Sequence, residues 1–201
     1  MSEELIFYDS DVLICFLEIN EQDILKKLFS KIIVPDMVFQ ELNRKKSHPN
    51  VKNNLRLLLN EGFVEICQIE FGSPEYFSYS CMIEGYWTND VPLGFGEAAA
   101  MALALKHRGI VSSNNLSDVK DLGELDEIPI LTFSMIMSFC LELNLMSEGE
   151  IEVVWRKILN TTNQKLPTQT FKEYYNELFK KDCQALLKGY DFKKHYYSSK
   201  K

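Results

Sequence analysis

Short apolar runs alternate along this chain with longer stretches of helical periodicity, and this alternation limits the fold more than any other feature. Leu5-Ile6-Phe7-Tyr8, Ile32-Ile33-Val34 and Phe63-Val64-Glu65-Ile66 are three such runs, and Ile110-Val111 and Pro129-Ile130-Leu131 are two more. Between them apolar residues recur at helical spacing, as at Ile24, Leu25, Leu28 and Phe29. Short runs alternating with helices are the signature of βαβ units, whose crossovers pair strands in parallel and cover both sides of a sheet. The expectation is an α/β protein with strands near residues 5–8, 32–34, 63–66, 110–112 and 129–131 in one parallel sheet.

The punctuation between these runs refines the picture. Pro35 stops the second strand, and Asp36 is placed to cap a helix carrying Met37, Val38 and Leu42. Leu55 to Leu59 belongs to another helix. Residues 68–92 are rich in aromatic side chains, with Pro74 and Gly85 as breaks. A partly helical excursion is expected there, because long bare loops are uncommon in compact domains. Gly96 to Arg108 is Ala-rich and helical, with Gly109 suited to a left-handed cap. Thr132 opens an apolar helix reaching toward Leu145. The C-terminal quarter reads as all-helical, with capping boxes at Ser147–Glu150 and Thr170–Glu173. Gly189 would end the last helix, leaving residues 193–201 as a frayed basic tail. The expected organisation is a domain over residues 1–146 and a helical extension over residues 147–201, packed on that domain or on a partner. A segment of this size is small for an independent core.

Composition then excludes several classes. The 201 residues contain no apolar run of the ~18 residues that a membrane helix needs. The acidic start, Met1-Ser2-Glu3-Glu4, lacks the basic region of a secretory signal, so the reading is of a cytoplasmic protein. The five cysteines are scattered, with no C-x-x-C pair, as expected of reduced structural thiols. A net charge of −7 argues against wrapping nucleic acid by electrostatics alone, although bound divalent cations reverse the local field. Neither a P-loop nor a dinucleotide-binding glycine pattern is present. His48, His107 and His195 share no metal-ligand spacing.

The acids are better placed. In a parallel sheet, ligands collect beyond the carboxyl ends of the strands. Asp9 and Asp11 follow the first strand, Glu41 lies in the helix after the second, and Glu97 opens the Ala-rich helix. Ser112-Ser113-Asn114-Asn115 follows the fourth strand, with Asp118 just beyond. Four separate segments thus deliver oxygen ligands to one sheet edge, the donor type that hard cations such as Mg²⁺ take. Plain structural readings stand beside this one. Asp9 suits an Asx turn, Glu41 a solvated helix face, Glu97 a helix N-terminus and Asn114-Asn115 an ordinary turn. Arg44-Lys45-Lys46 suits either RNA phosphates or a solvated helix end.

Three motifs carry a resemblance to a known family. Tyr8-Asp9-Ser10-Asp11-Val12-Leu13-Ile14 resembles the opening of PIN domains, where a strand ends in Asp-Thr-Asn before apolar residues. Val34-Pro35-Asp36-Met37-Val38-Phe39-Gln40-Glu41-Leu42 is similar to their second motif, and Leu93-Gly94-Phe95-Gly96-Glu97-Ala98 to the opening of their third acidic helix. The resemblance spans residues 5–150, with the motifs in the family's order. It implies a three-layer α/β/α fold with extra C-terminal helices. It also implies a Mg²⁺- or Mn²⁺-dependent endoribonuclease, possible kin to the toxins of VapBC-type pairs, with RNA as substrate and an antitoxin or a homodimer as partner. Asp9, Glu41 and Glu97 then become the catalytic acids and metal ligands, with Asn115 or Asp118 completing the shell. Asp11 stands where the family usually has Asn, and Ser113-Asn114-Asn115 where many relatives have Thr or Ser followed by an acid. That departure motivates the alternative of a PIN-like binding or regulatory module with weakened metal chemistry.

Overall fold

In the computed structural model, which describes residues 5–87, 90–115 and 128–199, the strands form one sheet at the centre. The chain opens with β1 (Ile6–Tyr8), α1 (Ser10–Leu17), α2 (Asp23–Leu28), β2 (Ile32–Pro35), α3 (Asp36–Leu42), α4 (Pro49–Asn60) and β3 (Val64–Cys67). It continues with α5 (Pro74–Ile83), α6 (Phe95–His107) and β4 (Ile110–Ser112). The last five helices are α7 (Phe133–Glu142), α8 (Glu148–Thr161), α9 (Phe171–Glu177), α10 (Phe179–Leu186) and α11 (Phe192–Ser199).

The strand order is β3-β2-β1-β4, all parallel, with Phe7 opposite Ile33 on one side and Val111 on the other. Successive side chains of a strand point to opposite faces. All three residues of β1 are nonetheless buried, so helices cover both faces. The connection from β1 to β2 runs to one side, whereas β3 returns past β1 to β4. The reversal lies between β1 and β4, the kind of switch point beyond which α/β sheets hold ligands.

α6 packs against β1, β2 and β4, and Gly96 to Ala104 are buried along its length. Small side chains allow that close approach. The helix closes differently from the glycine-cap expectation. Arg108 takes the left-handed conformation (φ 54°), and Gly109 is needed for space. A Cβ at Gly109 would stand 2.4 Å from the Leu5 carbonyl oxygen and 2.9 Å from the Phe7 ring.

Other elements also differ from the sequence reading. α1 follows β1 at once, hidden from periodicity because most of its residues are buried. Asp36 is the first residue of α3, and Pro35 holds the cap position. The fifth run contributes one parallel bridge, Val111 to Ile130, and no full strand. Its outer N–H is taken by the C-terminal helices, since Ile130 N donates to the Leu186 carbonyl at 2.8 Å. The expected frayed tail is instead α11, anchored by Phe192, which stacks on Phe139 with ring centroids 4.2 Å apart. Gly189 lies between α10 and α11, not at the end of the last helix.

The C-terminal helices share the core of the rest. Trp155 of α8 is fully buried among the rings of Phe133, Phe171 and Tyr174. Lys157 pairs with Glu21 at 2.9 Å, and the capping box expected at Ser147 is formed with Glu150. All five cysteines are free thiols. No helix among the described residues is long and apolar enough to cross a membrane.

Candidate metal centre

Asp9 directly follows β1 and caps α1, accepting from Ser10 N at 2.6 Å. Its own N–H donates to the Ser112 carbonyl at 2.9 Å, which ties it to the last residue of β4. The side chain is 7% exposed. Burial pushes its pKa up to about 7, and the charges of Asp11 and Glu41 add to the effect against hydrogen bonds from Ser10 and Ser113.

Asp9, Glu41 and Glu97 line one cavity of about 700 Å³, together with Arg44, Gly96 and Phe95. Gly96 explains how two of the acids share it. A Cβ there would lie 3.2 Å from Asp9 Oδ1, 3.2 Å from Glu41 Oε2 and 3.0 Å from Val38 Cγ2. The missing side chain therefore leaves a cradle that both carboxylates face. Glu97, buried in the first turn of α6, gains from the helix dipole there. Its Oε2 accepts from Asn115 Nδ2 at 3.4 Å. Ser113 completes the arrangement, its hydroxyl lying 3.5 Å from Asp9 Oδ2 and accepting from Asn115 N at 3.1 Å.

The neighbouring acid and amide serve the scaffold. Asp11 Oδ2 accepts from Asn114 N at 2.7 Å, and Asp11 Oδ1 from Val12 N at 2.5 Å. Burial raises its pKa to about 6, these backbone N–H groups pull it down, and Glu41 raises it further. Asn114 accepts from Phe133 N at 3.0 Å, joining the loop after β4 to the start of α7. Of the Asn pair, then, Asn114 braces the fold and Asn115 reaches Glu97. Asp118 lies outside the described residues. The histidines stand elsewhere: His48 accepts from Asn50 N, while His107 and His195 stack on Phe7 and Tyr190.

Among the described residues no group of three or more His, Cys, Asp or Glu side chains forms a ready-made metal site. The donor set nevertheless fits a hard divalent cation, because carboxylate oxygens of Asp9 and Glu41 face one cradle within the acid-lined cavity. Mg²⁺ keeps several waters and needs few direct protein ligands. Sequence reasoning missed two residues here, Gly96 as the cradle and Phe95 as a cavity wall. The Gly-Phe-Gly-Glu context marks both positions but gives no signal of what they face.

Fold and site together define a parallel α/β protein with an acid-lined cavity at its switch point. A family model described as a PIN domain matches residues 5–112, more than half of the chain, and the chain belongs to that family. PIN domains are generally nucleases and typically use divalent metal ions. The match includes Asp9, Glu41 and Glu97 and ends before Asn115. No curated protein matches the chain. Among solved structures the chain is similar to VapBC2 from Rickettsia felis bound to a DNA fragment from their promoter. The identity is 15% and the TM-score 0.45, over 64% of this chain and 98% of that one.

Proposed function

We propose that this chain is a divalent-metal-dependent endoribonuclease whose centre is Asp9, Glu41 and Glu97, with Asn115 or Asp118 completing the shell. The observation that carries the reading is the cradle at Gly96, faced by Asp9 Oδ1 and Glu41 Oε2 at equal distance, with Glu97 one residue along. Mg²⁺ or Mn²⁺, when bound, supplies Lewis-acid stabilisation of the charge that builds on a phosphate under attack. The residues of the chain do the rest. Asp9 and Glu41 hold the charge that draws the cation in, Ser113 orients Asp9, and Asn115 orients Glu97. An amide at position 115 lowers the negative charge of the set, so metal affinity is modest. An antitoxin partner belongs to the same proposal and rests on the sequence resemblance alone.

The test is incubation of single-stranded RNA with the wild type and Asp9→Asn, in Mn²⁺ and in EDTA. Asn caps a helix about as well as Asp, so the fold survives the change. Cleavage by the wild type in Mn²⁺ only, slowed about a hundredfold or more in Asp9→Asn, is the expected outcome. Equal cleavage by both proteins removes Asp9 from the centre. A wild type with neither metal-dependent cleavage nor saturable Mn²⁺ binding favours the second reading, a PIN-like binding or regulatory module, for which the Asn114-Asn115 pair is the motivating feature.

A further inference from the structure

The cavity wall also holds residues that the metal centre does not use, among them Phe95 and Arg44. Phe95 is the first residue of α6, lines the cavity and is 61% exposed. Arg44, just past the end of α3, is exposed and is the basic residue in the described lining. Exposed Gln40 lies on the same wall, one residue before Glu41.

We infer that Arg44 and Phe95 are the two handles for the substrate strand, Arg44 taking a phosphate and the Phe95 ring stacking on an unpaired base. The inference rests on the nuclease reading and deepens it. A chain of net charge −7 with acids in its cavity offers a polyanion no general attraction. Affinity must then come from local contacts beside the acids. A guanidinium matches phosphate geometry through paired N–H donors. A largely exposed ring such as that of Phe95 suits any base, because every base has a π-face, and the contact is sequence-tolerant. Stacking also requires the base to leave its pair, so the handle selects single-stranded RNA or splayed loops over duplex. Isolated exposed rings are common on protein surfaces. Phe95 differs in lining the same cavity as three acids and a guanidinium.

The test uses the full chain and a single-stranded RNA of about ten nucleotides carrying 2-aminopurine, with Ca²⁺ in place of Mn²⁺ and strand integrity checked on a gel. Stacking on a protein ring changes the 2-aminopurine signal, and a merely structural role for Phe95 would not reproduce that. Phe95→Ala is expected to lose the signal and about tenfold in affinity, while Phe95→Trp keeps both. Arg44→Ala is expected to weaken binding and to lower the salt slope by about one, leaving the signal at saturation. If Phe95→Ala keeps wild-type affinity and signal, the inference falls, while RNA cleavage by the same variant leaves the nuclease reading standing. A wild type that binds no oligonucleotide overturns both.

Discussion

Asp9 carries two loads whose electrostatic demands conflict. It caps α1, which favours its charged form, and it sits buried beside Asp11 and Glu41, which disfavours it. The outcome, a pKa near 7 with Asp11 near 6, makes the stability of the metal-free protein depend on pH in an unusual direction. Unfolded aspartates ionise near pH 4, so between about pH 4 and about pH 7 the folded chain holds protons that the unfolded chain has lost. Stability of the metal-free protein should therefore fall as pH rises through that window. In Asp9→Asn the slope should be shallower. Urea titrations at several pH values in EDTA read both slopes, and a wild type that gains stability across the window contradicts the assignment. Asp9 was legible as an acid just past the first strand, Glu41 as one within the helix after the second, and Glu97 as one opening the Ala-rich helix. Which member of the Asn pair meets the acids was not, because that choice rests on where the start of α7 lies and on the bond from Phe133 N to Asn114.

Strand registers hold these residues at working distance. β1 and β4 run side by side through Ile6–Ile110, Phe7–Val111 and Tyr8–Ser112, and this pairing sets Asp9 beside Ser113. Gly109 permits the approach of α6 and β4 to β1, so Gly109→Ala forces a Cβ against backbone that cannot yield. The expected cost is a few kcal/mol, seen as a lower denaturation midpoint, together with weaker metal binding from a displaced Ser113 loop. Wild-type stability in that variant would mean the β1–β4 contact is looser than described. The four strands and most helices could be read from alternation, because periodicity records which face is buried. α1 and the extent of the fifth run could not. A helix buried on most sides shows no stripe, and the Ile130 edge is settled by a carbonyl 56 residues later in α10, at Leu186.

At the scale of the molecule, the C-terminal helices supply part of the core that the site stands on. Trp155, Phe171 and Tyr174 are fully buried, with Trp155 against Phe133 at the start of α7, whose backbone N–H holds Asn114. Trp155→Ala is expected to cost about 3–5 kcal/mol, and a fragment of residues 1–146 should lose cooperative unfolding. Circular dichroism during urea denaturation checks both, and a fragment as stable as the full chain would make the extension a mere appendage. Whether the cavity binds metal bears most directly on the whole account. Mn²⁺ titrated calorimetrically into metal-free protein should give saturable binding by the wild type, weakened about tenfold or more in Asp9→Asn and in Gly96→Ala, whose new methyl fills the cradle. No saturable binding by the wild type, or equal affinity in all three proteins, would contradict a metal centre at Asp9, Glu41 and Glu97.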